Sequence, residues 1–303
     1  MLETMGTPPT TVSTAERRPA TVRGRKGLLI ATDGRPAADA AIIVGRSLAN
    51  RDGEPHELVA VEQLERASDE QSVPTLQQQD MHLRLAQQRA RTTNVAADNW
   101  PLSIAYGRPG STIADLGDHT RRRLIVMGLH VHSRTDRWLG RETVLQVMRR
   151  SSCPVLAVDS NRRTIPCRTL LAIDFSPSSL AAAREALRII GGTGPVYLAH
   201  VMPRTYVPFD AEPQAGYEPD IERTLADLRT TLEIPTHVDT KMVLLRGDPA
   251  KELLAFADQV GIELIATGTR GFSPFRGAVI GAVPTALVRA ARCSVLVVPP
   301  ETQ

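Results

Sequence analysis

Aromatic residues are scarce, four per cent of 303 positions. Stacking platforms for single-stranded nucleic acid are built from such rings, so a nucleic-acid partner is not expected. Cysteine is scarcer: three residues and no Cys-x2-Cys pair, which fits a reducing compartment and a cytoplasmic protein. No apolar run approaches the roughly 18 residues of a membrane helix. The N-terminus lacks the apolar core of a secretory signal. Charge of one sign is lacking too, since 36 Lys and Arg against 33 Asp and Glu leave +3. The basic runs Arg121-Arg-Arg123, Arg149-Arg150 and Arg162-Arg163 therefore read as solvated helix and linker faces. There is no Gly-x4-Gly-Lys-(Ser/Thr) loop. No nucleophile is placed beside a His and an acid in a readable arrangement. His130 and His132 form a His-x-His pair with no third ligand nearby in sequence, and they read as surface histidines. His200, in an apolar run, reads as a satisfied core histidine.

What the chain does have, it has twice. Cys153-Pro-Val-Leu-Ala-Val158 returns 140 positions later as Cys293-Ser-Val-Leu-Val-Val298. Gly107-Arg-Pro109 returns as Gly247-Asp-Pro249 and Gly128 as Gly268, at the same spacing. Leu29-Ile-Ala-Thr-Asp33 returns one position further on, as Leu170-Leu-Ala-Ile-Asp174. Landmarks in one order at one spacing imply two copies of a domain of about 140 residues, too long for a solenoid repeat and right for a compact domain. The copies are placed at 25–158 and 168–299. Residues 1–24 read as a disordered tail and 159–167 as a linker. Cys153 and Cys293 read as small buried hydrophobes, and Cys167 as the cysteine with the best chance of exposure.

Each copy alternates short apolar strands with segments of helical periodicity, in the order β-α-β-α-β-α-β-α-β. That order predicts a mainly parallel sheet with helices on both faces. In the second copy strands are expected at 169–174, 195–201, 236–245, 264–268 and 294–298. Helices are expected at 180–190, 220–232, 250–260 and 282–291. Residues 203–219, rich in Pro and acid, read as a mobile loop. In the first copy strands are expected at 27–33, 57–61, 102–106, 124–128 and 154–158. Helices follow the first strand as far as Ala49 and run over 75–94 and 110–120.

The chemistry-bearing motif follows the fourth strand of the second copy. Gly268-Thr-Arg-Gly271 is followed, nine residues on, by Gly281 at the start of a helix: Gly-x2-Gly-x9-Gly. Glycines let the backbone approach an anion, and a helix N-terminus aims free N–H groups at it. Parallel sheets bind ligands outside the carboxyl ends of their strands, where Asp174 also stands and could bond a ribose hydroxyl.

These features together resemble the universal stress protein family, over both copies. The carriers are Asp33 and Asp174, the two Gly-x-Pro segments, the glycine loop and the two closing Cys-x-Val-Leu-x-Val strands. The resemblance implies two tandem Rossmann-like domains of the adenine-nucleotide α-hydrolase type, with five strands each. It implies a pseudo-twofold contact in which the two fifth strands pair antiparallel. That pairing would keep Cys153 and Cys293 apart, without a disulfide. It implies ATP, with Mg2+, as ligand. Asp174 would hold the ribose and Val201 the adenine side. Gly268, Arg270, Gly271, Gly281, Ala282 and Val283 would form the phosphate loop. The sequence departs from the family where Ala282 follows Gly281 in place of a hydroxyl residue, and at Pro284, which offers neither hydroxyl nor N–H. The first copy departs further. Val131 replaces the second glycine, the gap from Gly128 to Gly140 is a residue shorter, and Arg141 replaces the hydroxyl residue. Asp33 and Thr143 remain, and Arg141 is a candidate to meet phosphate directly. The loop Ser-Gly-Gly-x-Asp-Ser of related ATP-pyrophosphatases is absent.

Three functions follow from this reading. The first is an adenine-nucleotide-binding stress or signalling module, working mainly through the second copy, with slow hydrolysis at most because no base is positioned. The second is a nucleotide-free scaffold whose loops read protein partners. The third is a true enzyme of the wider superfamily. Pairing of the two copies within one chain takes the place of dimerisation, and association into a homo-oligomer stays open.

Overall fold

The computed structural model describes residues 24–63, 76–93, 100–129, 137–202, 217–269 and 280–300. The expected tail, the loop as far as residue 216, His130, His132, Arg270 and Gly271 lie outside the described residues. The first half runs β1 (Leu28–Thr32), α1 (Asp39–Asp52), β2 (His56–Glu62), α2 (Leu76–Thr92), β3 (Leu102–Tyr106), α3 (Pro109–His119), β4 (Leu124–Leu129), α4 (Arg137–Arg150) and β5 (Val155–Asp159). The second runs β6 (Thr169–Ala172), α5 (Pro177–Ile190), β7 (Val196–Met202), α6 (Tyr217–Thr231), β8 (Thr240–Arg246), α7 (Pro249–Val260), β9 (Leu264–Gly268), α8 (Ala282–Ala290) and β10 (Ser294–Val298).

All ten strands form one sheet in the order β3-β2-β1-β4-β5-β10-β9-β6-β7-β8. Every neighbour is parallel except β5 and β10, which meet antiparallel with Leu156 opposite Leu296. The sheet is covered on both faces, which is why its strands read as continuous apolar runs. Alternation sends Leu28 and Ile30 to one core with α1, α5 and α6. It sends Leu29 and Ala31 to the other, with α3, α4, α7 and α8. Both cores run across the β5–β10 seam, through Leu156 and Leu296 on one face and Val155 and Val297 on the other.

The expected fold is therefore the observed one, with local corrections. Strands β1 and β6 stop at Thr32 and Ala172, so Asp33 and Asp174 sit in the loops beyond them. The alternation from Thr236 is partly a turn, closed by Val238 N–H donating to the Pro235 carbonyl, and β8 starts at Thr240. The Gly-x-Pro landmarks are turn requirements. Gly107 and Gly247 hold φ of +140° and +143°, and the prolines then open α3 and α7.

The basic runs are not all solvated faces. Arg123 is buried and meets Glu54 Oε2 at 2.9 Å, Asp52 Oδ2 at 3.4 Å and Glu185 Oε1. Arg188 joins the group through Glu54 at 2.5 Å. Arg122 pairs with Glu57 at 2.5 Å. Asp52, Glu54 and Arg123 come from the first half, Glu185 and Arg188 from the second, so this charge cluster spans the seam. Arg51 adds a helix cap, donating to the carbonyls of Ile189 and Arg188 at 2.6 and 2.8 Å at the end of α5. In the linker, Arg162 pairs with Glu263 at 2.9 Å, and Glu263 also accepts the Cys167 N–H at 2.8 Å. Burial pushes the Glu263 carboxyl up, but the bonds from Cys167 and Arg162 outweigh it and hold the group at about 2. All three cysteines are free. Burial pushes the Cys153 and Cys293 thiols up to about 12, as inert core residues require.

Candidate functional site

Strand β6 is hydrogen-bonded to β7 on one side and β9 on the other. The chain leaves β6 towards α5 on one face and reaches β9 from α7 on the other, which makes this the switch point of the second half's sheet. A cleft of 330 Å3 opens there, at the carboxyl ends of β6, β7 and β9 and against the first turns of α7 and α8. Ala172, Ala199, Val201, Leu253 and Val283 give it apolar walls. Asp174 stands on one side and the N-terminus of α8 on another.

Gly281 is the N-cap of α8, as its position in the motif predicts. Its own N–H is spent on the Thr269 carbonyl at 2.7 Å. Ala282 and Val283 N–H are the next donors, and among the described residues neither makes a hydrogen bond. Pro284 has none to offer. Two donors thus remain of a helix start that ordinarily presents more.

Gly268 also lies on the cleft, but its glycine has a different cause from the one its motif suggests. A Cβ there would stand 2.3 Å from Ser178 Oγ and 2.7 Å from the Ser178 carbonyl carbon. The first turn of α5 presses on the end of β9, and only glycine fits. Replacing Gly268 by alanine should cost about 2 kcal/mol through overpacking. Urea unfolding of the unliganded protein tests this, and a loss under half a kcal/mol would mean that α5 yields.

Asp174 is held by its neighbours. Its Oδ1 accepts the Ser176 N–H at 3.0 Å and the Ser176 hydroxyl at 2.5 Å. Among the described residues Oδ2 takes no hydrogen bond. Ser176 is in turn the N-cap of α5, accepting the Ser179 N–H at 3.2 Å. Between the two, Phe175 sits at φ +63°. A left-handed conformation costs a side-chain-bearing residue roughly 1–2 kcal/mol. The Phe175 ring lies 5.1 Å from the His200 ring at 39°. His200 Nδ1 is 2.8 Å from the Ile173 carbonyl, which can only accept, so the proton is on Nδ1. The histidine has its Nδ1 partner as the sequence reading expects, but it is half-buried and lines the cleft instead of sitting in the core. Its ring braces Phe175, a role without a sequence signal.

The first half does not bring its candidates together in the same way. Among the described residues Asp33 Oδ1 accepts the Arg35 N–H at 3.0 Å, and Oδ2 lies 3.7 Å from Arg35 Nε, with the side chain 43% exposed. Gly34 takes the left-handed place that Phe175 holds, at φ +78°, and α2 packs against it. Gly128 is on β4, whereas Gly140 lies inside the first turn of α4 rather than at its start. Thr143 is a half-buried residue of the same helix. Arg141 is not placed to meet a phosphate. It is buried, and its guanidinium donates to the carbonyls of Val288 at 3.1 Å, Ala291 at 3.3 Å and Arg289, capping the far end of α8. A guanidinium satisfies such a cluster of acceptors as readily as it would a phosphate, so residue type alone misplaced it.

The model of the universal stress protein family matches residues 24–159 and again 168–299. The chain belongs to the universal stress protein family. It carries the family domain twice in tandem. A universal stress protein from Archaeoglobus fulgidus DSM 4304 superposes with a TM-score of 0.64 at 18% identity, covering 90% of this chain and 98% of that one. The functionally unknown protein PA1789 from Pseudomonas aeruginosa PAO1 does so with 0.59 at 14%, covering 92% and 94%. These likenesses show the fold. A further universal stress protein, 24% identical over 44% of this chain and 97% of its own, with a TM-score of 0.34, was solved in complex with cAMP. No curated protein sequence matches this chain closely enough to count as a relative. Among the described residues no helix is long and apolar enough to cross a membrane, and no group of three His, Cys, Asp or Glu could hold a metal ion.

Proposed function

We propose that this tandem universal stress protein binds an adenine nucleotide, ATP with Mg2+ as the first candidate, in the cleft of its second half, and acts as a nucleotide-dependent stress or signalling module. The observation that carries this reading is the pairing, across one apolar cleft, of the held Asp174 carboxylate with the open N-terminus of α8. An acceptor on one side suits ribose hydroxyls, two backbone donors with a helix dipole on another suit phosphate, and the walls suit a purine. Val201 lies on the purine side, and Gly281, Ala282 and Val283 on the phosphate side. Arg270 and Gly271, outside the described residues, are proposed for the phosphate side by the motif alone. The first half, with Asp33 beside Arg35 and Arg141 committed to α8, is the weaker site. Mg2+ would be held chiefly by the phosphates, as that ion prefers. The groups that line the cleft among the described residues suit binding.

Isothermal titration with Mg-ATP tests this directly. The expected result is saturable binding near one site per chain, weakened at least tenfold in Asp174→Ala. That loss corresponds to about 1.4 kcal/mol or more, in the range of a charged hydrogen bond. Absence of heat up to millimolar ATP would leave the second reading, a nucleotide-free scaffold. That reading draws on the Ala282 and Pro284 departures and on the packing cause of Gly268.

A further inference from the structure

The two copies build the turn after their first strand differently, and the difference falls at the cleft. In the first half the left-handed position is Gly34, which takes φ +78° without a Cβ penalty. In the second half the same position is a phenylalanine at φ +63°. Strain of this kind persists only where surrounding contacts over-determine it, and it clusters where geometry must be fixed. Here the contacts are visible. The Phe175 ring packs 5.1 Å from His200, and His200 is anchored on the Ile173 carbonyl at 2.8 Å. Ile173 and Asp174 are the residues just before the strained turn, and both line the cleft. On the other side of Phe175, Ser176 grips Asp174 Oδ1 twice and caps α5. The aromatic ring is therefore a peg. It fixes the backbone turn between a carboxylate and the serine that orients it.

We infer that Phe175 is a positioning residue: its ring, wedged on His200, holds the left-handed turn that fixes the Asp174 carboxylate at the cleft, and it thereby sets the selectivity of the second half for ligands carrying vicinal ribose hydroxyls. The inference rests on the nucleotide reading of the cleft. In the first half, with Gly34 and no ring, Asp33 Oδ2 lies 3.7 Å from Nε of its own neighbour Arg35.

The test compares binding of ATP and of 2′,3′-dideoxy-ATP to the full chain and to Phe175→Gly, Phe175→Asn, Phe175→Tyr and Asp174→Ala. Glycine and asparagine both tolerate the left-handed turn but lack the ring, so either variant serves if the other folds poorly. The full chain should prefer ATP over the dideoxy analogue at least tenfold. Phe175→Gly or Phe175→Asn should lose most of that preference, approaching Asp174→Ala, while affinity for the dideoxy analogue changes less than twofold. Phe175→Tyr should keep the preference. A packing role alone would weaken both ligands alike and leave their ratio unchanged. If the full chain binds ATP with the expected preference and the ring-less variants keep it, the positioning role is overturned and the nucleotide site stands. If the full chain binds neither ligand, the nucleotide reading falls and this inference with it.

Discussion

Replacing Arg123 by alanine is expected to cost about 3–5 kcal/mol of stability at neutral pH, the largest loss from any single polar residue in the seam. The guanidinium is 6% exposed and faces Glu54, Asp52 and Glu185 together. Burial works against its charge, and the carboxylates, Glu185 first, outweigh that and push its pKa up. Without it, Arg188 still reaches Glu54 and Arg51 still reaches Asp52, but Glu185 loses its closest cation. Burial already pushes the Glu185 carboxyl above its ordinary range, and Arg123 is the main influence holding it down. The alanine variant should raise it further. A carboxyl with a folded pKa above its unfolded value contributes stability in full below the unfolded value, and that contribution is lost as pH rises through the folded one. The deficit of Arg123→Ala should therefore shrink between pH 7 and pH 5. Urea unfolding at the two pH values measures it. A deficit under 1 kcal/mol, or one equal at both, would mean that the cluster is hydrated and contributes little.

Arg141→Ala should cost about 3 kcal/mol and loosen the cleft from behind. Hydrogen bonds from a charged donor are worth roughly 1.5–3 kcal/mol each and do not add fully. Arg141 gives such bonds to the carbonyls of Val288, Arg289 and Ala291, the last orphan acceptors of α8. The nine-residue helix has its other end on the cleft, so one residue of the first half steadies the proposed anion site of the second. Lysine at this position should recover only part of the loss, since it lacks the planar fork. Hydrogen exchange gives the decisive reading: α8 amides should exchange faster in Arg141→Ala while β1 and β2 amides shift only by the global change. Unchanged protection of α8 would mean that water replaces the guanidinium at no cost.

The two roles of arginine show where sequence reading stops. Arg121-Arg-Arg123 has the composition of a solvated run, yet Arg123 is in the seam because the turn into β4 places it beside α5, some 60 residues away in sequence. Arg141 stands one residue past Gly140, where a phosphate-binding residue would be sought, and is instead turned onto a helix of the other half. Gly268 belongs to a phosphate motif and is required by Ser178. His200 and Phe175 carry no motif, although a phenylalanine aligned with Gly34 is a sign that the repeat itself offers.

The sequence by itself determined the doubled α/β fold, the strands, most helix ends and the family, because these rest on periodicity, turn chemistry and a repeat, all local or self-referential. It also placed Asp174, Val201 and Gly281, because strand ends and helix starts of a parallel sheet converge by topology alone. Only the tertiary structure decided which arginines are buried, why Gly268 is glycine, and that Phe175 sits strained beside the cleft. Those facts depend on what lies across a seam or above a turn, and the distance in sequence between the partners hides them.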